Sequence, residues 1–236
     1  MRPLICAHRG HCGLKGLSTS ERYKQAIELG VDFIEFDVRR TGDGEYVVYH
    51  EPQTPSGRPL NQISRIEFSM ELGRRALGLD ELLEIAKGRV RLHVDLKEIG
   101  YEAAIVRLVQ ANFDETQFVI TSLEDVSIQT IKEAFPAVCA GLSLGRDMTR
   151  ASSLQRLRVR ISELFPDRRL KACRADFVAV HKRLATLRVL DYCASKKMLA
   201  WVWTLEDEHE IASFWHDPRV AVVITDRPDL ALKRRA

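Results

Sequence analysis

The six residues FIEFDV, Phe33–Val38, decide how the chain is read. Side chains on a strand alternate faces, so Ile34, Phe36 and Val38 share an apolar side while Glu35 and Asp37 share the other. Two like charges on one side leave two readings: a wet face, or a pair that holds something positive. The surroundings of the strand decide between them. Similar short apolar runs recur at Leu4–Ala7, Arg91–Asp95, Phe118–Thr121, Ala140–Leu144, Phe177–Val180, Leu199–Thr204 and Ala221–Thr225. Amphipathic segments separate them: Ser20–Leu29, Leu79–Ala86, Tyr101–Gln110, Asp125–Ala134, Leu187–Lys196 and Asp207–Phe214. Ser20 and Asp80 are the expected N-caps of the first two, with Gly30 and Gly88 as stops. Alternation of strand and helix implies a parallel sheet with crossover helices. Eight candidate strands in 236 residues predict a (β/α)8 TIM barrel, which typically needs ~250 residues. An open doubly wound sheet would carry a Gly-rich phosphate loop, and no GxGxxG or Walker pattern is present. One domain over residues 1–236 is expected, because there is no repeat and no low-complexity linker.

One piece interrupts the alternation. TGDG at Thr41–Gly44 is a turn signal, and EYVVYH, Glu45–His50, follows it. The expectation is a short extension that folds back beside the second strand and brings His50 towards Glu35 and Asp37. Glu51–Leu60, with Pro52, Pro55, Gly57 and Pro59, reads as a loop.

Composition excludes several classes of function. A net charge of +3 is too small to argue for nucleic acid, and no zinc-finger or RNA-binding motif is visible, so no nucleic-acid partner is expected. Cys6, Cys12, Cys139, Cys173 and Cys193 are odd in number and lack CxxC spacing, which suits reduced thiols in the cytoplasm. MRPLICAHRG has too short an apolar run for a signal peptide, and no run approaches the roughly 20 apolar residues of a membrane span. A cytoplasmic protein without stable membrane insertion is expected.

In a barrel, chemistry sits at the C-terminal ends of strands. The first strand runs into His8-Arg9-Gly10, the second ends in Glu35 and Asp37, and the third ends in Asp95 and Lys97. The seventh ends at Trp203-Thr204 and the eighth at Thr225-Asp226. Three clustered carboxylates repel one another unless a cation neutralises them, and oxygen-only ligation suits Mg²⁺ or Ca²⁺. Arg9 and Lys97 are then left for an anion. A metal with two basic side chains is what a phosphate ester needs as its oxygens gain charge. His8 and His50, titrating near neutrality, are the expected general base and acid.

The frame AHRG, GVDFIEFDV, TGDGEYVVYHE, LHVDLK, WVWT and ITDRPDL resembles the glycerophosphodiester phosphodiesterase family nearly end to end, most strongly over Ala7–His50. The resemblance implies a TIM barrel that uses magnesium or calcium to cleave glycerophosphodiesters into glycerol 3-phosphate and an alcohol. It implies catalytic His8 and His50, metal ligands Glu35, Asp37 and Asp95, and phosphate contacts from Arg9 and Lys97. It also implies attack by the substrate's neighbouring hydroxyl, giving a cyclic phosphate that water opens. The chain departs from the family at Gly16-Leu17-Ser18-Thr19, where Pro-Glu-Asn-Thr is usual, and at His50-Glu51, where His-Asp is usual. Its His50–Leu79 segment is shorter than the family's insertion. Asp95 replaces the commoner glutamate and, with IEFDV, is similar to the sphingomyelinase-D-type phospholipases. A phospholipase-D-type enzyme on lysophospholipid or sphingolipid therefore stays open, as does a barrel that binds a phosphodiester without turnover.

Trp203 is read as core or as a wall of the substrate pocket. Asp226 is read as a helix cap or a brace of the rim, with no chemistry. His11 and Cys12 adjoin the mouth, and His93 shares the inward face of Asp95. His181, His209 and His216 are read as structural or exposed. The segment Gly145–Asp176 is basic, with Arg146, Arg150, Arg156, Arg158, Arg160, Arg168, Arg169, Lys171 and Arg174. Leu154, Leu157, Ile161 and Leu164 lie at helical spacing beneath these charges. The reading is a solvated helix packed on the barrel; the sharper alternative is a flap that draws anions or touches anionic lipid weakly.

Overall fold

The computed structural model describes residues 2–149 and 151–235. Its strands are β1 (Leu4–Ala7), β2 (Phe33–Arg40), β3 (Tyr46–Val48), β4 (Arg91–Leu96), β5 (Phe118–Ser122), β6 (Ala140–Leu144), β7 (Phe177–His181), β8 (Leu199–Leu205) and β9 (Val220–Thr225). Eight of them pair in parallel around a ring, which β1 closes by pairing with both β2 and β9. β3 is the extra strand. The helices are α1 (Thr19–Glu28), α2 (Arg65–Glu71), α3 (Leu79–Ala86), α4 (Glu102–Gln110), α5 (Asp125–Ala134), α6 (Ser153–Leu164) and α7 (Asp167–Cys173). A run from α8 (Lys182–Leu184) passes through a π-helical stretch into α9 (Leu190–Lys196), and α10 (Glu208–Trp215) and α11 (Pro228–Lys233) complete the chain. This is the predicted (β/α)8 barrel.

Alternation along the strands makes two apolar layers. Ile34, Phe36, Val38, Leu92, Val94 and Leu96 point outward, under the helices. Phe33, Val119, Phe177, Trp201, Val222 and Cys6 point inward and plug the barrel at the N-terminal ends of its strands. The rings of Phe33 and Phe177 lie 5.0 and 4.8 Å from that of Trp201. Gly141 makes room for this plug, since a Cβ there would stand 2.5 Å from the Phe177 ring. One pleat further along each strand the inward residues are Glu35, Asp37, His93, Asp95, Thr121 and Ser143, all buried. The barrel is therefore dry at one end and polar at the other.

The extension forms as expected. β3 runs antiparallel to β2, with Val38 opposite Val48 and Arg40 opposite Tyr46. Gly44 adopts φ +88°, which the turn requires. Tyr49 N–H then donates to the Asp37 carbonyl at 3.1 Å, and Arg39 Nε donates to the His50 carbonyl at 2.7 Å. These bonds fix His50 at the Asp37 end of β2. A small core of Val47, Leu60, Ile63, Phe68 and Ala76 holds the insertion beyond it.

Two caps differ from expectation. α1 starts one residue earlier than read and is capped by Ser18, in a reciprocal capping box with Glu21. Gly78 caps α3, and Asp80 lies in its first turn. The α6 expectation also fails. Leu154, Leu157 and Ile161 are 57, 57 and 50% exposed, and only Leu164 packs inward. Arg150 lies outside the described residues.

Candidate active site

A cavity of about 530 Å³ opens at the C-terminal end of the barrel. All eight residues expected at the site line it: His8, Arg9, Glu35, Asp37, His50, Asp95, Lys97 and Trp203. Glu35, Asp37 and Asp95 are buried, and they offer carboxylate oxygens within 4.8 Å of one another, an arrangement that could hold a metal ion. Register explains the grouping, because β2 and β4 pair with Asp37 directly opposite Asp95.

Two cations partly offset these charges. Lys97 Nζ lies 2.8 Å from Asp37 Oδ1 and 2.5 Å from Asp95 Oδ2. Arg9 Nε lies 3.0 Å from Asp37 Oδ2, and the Arg9 backbone N–H donates to Glu35 Oε2 at 2.8 Å. That bond needs Arg9 in the left-handed region, φ +49°, before Gly10 at φ +65°. A side chain on Gly10 would meet the Tyr23 ring at 2.5 Å. Burial, then the charges of Asp37 and Asp95, raise the Glu35 carboxyl well above the usual range. Burial also pushes Asp37 up, but Lys97 and Arg9 outweigh it and leave Asp37 lowered. Lys97 is raised: burial works against its charge, and Asp95, Asp37 and Glu35 overcome that. Three buried carboxylates against two cations leave a deficit of positive charge. An oxygen-only donor set of this kind fits a hard divalent ion.

Both histidines have Nδ1 held by a carboxylate. His8 Nδ1 donates to Asp226 Oδ1 at 2.6 Å, and His50 Nδ1 donates to Glu51 Oε1 at 2.7 Å. This leaves Nε2 of each ring for chemistry, and His8 Nε2 stands 4.0 Å from Glu35 Oε2. Burial lowers the His50 pKa. His11 Nδ1 also approaches Asp226 Oδ1, at 2.8 Å. Asp226 is thus no cap of α11, whose N-cap is Arg227. Neither carboxylate partner could be singled out from one sequence, although Glu51 adjoins His50 directly.

A relay behind Asp95 also escaped the sequence reading. Thr121 Oγ1 donates to Asp95 Oδ1 at 2.5 Å, so His93 Nε2–H must donate to Thr121 at 2.8 Å. His93 Nδ1 then accepts from the Cys6 thiol at 3.8 Å. Burial lowers the His93 pKa to about 4, consistent with this neutral tautomer. Trp203 walls the cavity, edge-on to His181 at 5.2 Å, and its indole N–H has no hydrogen-bond partner among the described residues. Glu124, Arg146 and Asp147 line the outer wall.

The glycerophosphoryl diester phosphodiesterase family model matches residues 8–66, which carry five of the eight expected residues. A glycerophosphodiester phosphodiesterase of Caldanaerobacter subterraneus subsp. tengcongensis is 27% identical over 162 residues, covering 60% of this chain and 67% of that protein. The crystal structure of a glycerophosphodiester phosphodiesterase from Parabacteroides distasonis superposes with a TM-score of 0.80 at 20% identity, over 99% of this chain and 96% of that one. An Oleispira antarctica phosphodiesterase, solved in complex with its product sn-glycerol-3-phosphate, gives 0.75 at 17% identity, over 98% and 96%. Together these make the chain a phosphoric diester hydrolase on a (β/α)8 barrel. Its residues 8–66 match the glycerophosphoryl diester phosphodiesterase family model, and its barrel is the fold of that family's solved structures.

Proposed function

We propose that this protein hydrolyses glycerophosphodiesters to glycerol 3-phosphate and an alcohol, with His8 and His50 as the acid–base pair and Mg²⁺ or Ca²⁺ at Glu35, Asp37 and Asp95. The observation that carries this reading is the single cavity lined by both histidines, the three carboxylates, Arg9 and Lys97. The product named for the Oleispira phosphodiesterase supports the substrate class.

Arg9 and Lys97 hold the non-bridging oxygens of the phosphodiester. One histidine takes, through Nε2, the proton of the attacking hydroxyl of the substrate. The phosphorus–oxygen bond to the leaving alcohol breaks, and the other histidine gives that oxygen its proton. Water then opens the cyclic phosphate with the two roles exchanged. Asp226 and Glu51 hold each Nδ1–H and stabilise the imidazolium forms. A bound divalent ion supplies Lewis-acid stabilisation of charge on the phosphoryl oxygens. Trp203 shapes the wall against which the substrate lies.

We place this chemistry in the cytoplasm. The five cysteines are unpaired, and no helix among the described residues is long and apolar enough to cross a membrane. Turnover of glycerophosphocholine, glycerophosphoethanolamine, glycerophosphoglycerol and lysolipids, each with and without Mg²⁺ or Ca²⁺, tests the reading. Metal-stimulated release of glycerol 3-phosphate from a water-soluble diester supports it. Activity confined to lysolipids would move the protein to the phospholipase-D type, and no turnover of any of them would leave a binding barrel.

A further inference from the structure

Helix α6 is inverted relative to an ordinary surface helix. The face it turns to the barrel carries a carboxylate, Glu163, which is 1% exposed. Glu163 Oε1 accepts the backbone N–H groups of Gly145 and Arg146, each at 2.8 Å, and Oε2 accepts from Arg160 at 2.6 Å. Leu154, Leu157 and Ile161, with Phe165 just past the helix end, stand on the opposite face at offsets of 0, 3, 7 and 11. They are 57, 57, 50 and 57% exposed. Apolar side chains scattered singly over a surface need no explanation, whereas a continuous exposed row does.

The exposed charges on α6 itself have one sign. Arg158 shares its face, is exposed, and makes no ion pair or hydrogen bond among the described residues. Arg188, from the π-helical stretch packed beside α6, lies over the Phe165 ring at 4.3 Å. Its neighbour Leu187 is 69% exposed. The single acid of α6 is Glu163, which is buried and neutralised. An apolar row edged by arginines, without an exposed acid on the helix, complements acyl chains beneath anionic headgroups. The inner face of the same helix adjoins the cavity. Gly145 and Arg146, which Glu163 clamps, follow the C-terminal end of β6 and line the mouth.

We propose that the outer face of α6 docks on an anionic lipid surface, so that the helix whose inner face clamps the cavity mouth is the one that meets the membrane. This goes beyond the catalytic reading, and it can fail or hold separately from it. The full-length protein should be spun down with vesicles of phosphatidylcholine alone and of phosphatidylcholine mixed with phosphatidylglycerol. About tenfold more should pellet with the anionic vesicles, and high salt should weaken the binding. L157E/I161E should lose this binding, and R158E should reduce it, while both keep wild-type turnover of a soluble diester. Equal pelleting with both vesicles, no pelleting, or full binding by L157E/I161E would overturn the proposal. So would a wild-type dimer in solution that L157E/I161E dissolves, because a second copy would then cover the face. No turnover of a soluble diester by the wild type, with vesicle binding intact, would count against the catalytic reading alone.

Discussion

His8 Nδ1 donates to Asp226 Oδ1 at 2.6 Å, a bond that links the end of β1 to the end of β9 across the seam where the barrel closes. It sets which nitrogen of His8 carries the proton. Asp226→Asn can still accept through its oxygen, but it cannot stabilise an imidazolium by charge. We expect kcat to fall about 10- to 100-fold with KM little changed, and the thermal transition to stay cooperative. His11→Gln should cost far less. Equal effects of the two substitutions on kcat would show that Asp226 only braces the rim.

The same carboxylate should mark the acid stability. Burial raises its pKa, but hydrogen bonds from His11 and His8 outweigh that and hold it well below the usual carboxylate range. A carboxyl whose folded pKa is depressed contributes stability above its unfolded pKa of about 3.9, and that contribution disappears as pH falls towards the folded value. Wild-type melting temperature should therefore drop more steeply than that of Asp226→Asn as pH is lowered through about 4 and below. Parallel curves would show that the pairing does not alter this titration.

His8→Ala and His50→Ala should each abolish detectable turnover while the fold stays intact, since in the proposed mechanism each removes one of two proton carriers. His8 is half-buried and His50 more exposed, so neither cavity threatens the core. Near wild-type activity in either variant, with a native circular dichroism spectrum, would sink the two-histidine mechanism.

Thr121→Val breaks the relay to Asp95 without replacing any of the three proposed metal ligands. The swap keeps the shape but removes the hydroxyl that donates to Asp95 Oδ1 and accepts from His93. Loss of such an outer partner should weaken metal affinity about 10- to 100-fold. Activity titrated against Mg²⁺ or Ca²⁺ should show a higher half-saturating concentration with a similar plateau. An unchanged titration would argue that the relay serves folding alone.

The sequence carried the barrel well, because its strands are short apolar runs with turn signals and their pattern needs no long-range knowledge. β2 announces itself in FIEFDV, and the register that sets Asp37 opposite Asp95 follows from keeping both apolar faces buried. The insertion was less legible. At seven residues α2 is too short for its period to show, although Ser64 and Glu67 spell a capping box. α6 misled, because its leucines have the spacing of a core helix and only burial reveals which side faces in. Asp226 and Thr121 were not legible as partners, since they meet His8 and Asp95 across 218 and 26 residues.

The carboxylate triad should respond to metal removal in both activity and stability. Glu35 takes on a proton more readily than an ordinary carboxyl because it is buried and faces Asp37 and Asp95, and Lys97 and the Arg9 N–H relieve this only in part. A divalent ion among the three oxygens would relieve the rest. Exhaustive chelation should abolish turnover and lower the melting temperature, and Mg²⁺ or Ca²⁺ should restore both. An ion at about 100 times its Kd stabilises by about 2.7 kcal/mol. Glu35→Gln separates repulsion from ligation. With one negative charge gone, its metal-free form should melt higher than metal-free wild type, and added ion should shift it less. Should chelated wild type keep full activity, or should metal raise the melting of Glu35→Gln as much as that of wild type, the three carboxylates would be held by Lys97 and Arg9 alone.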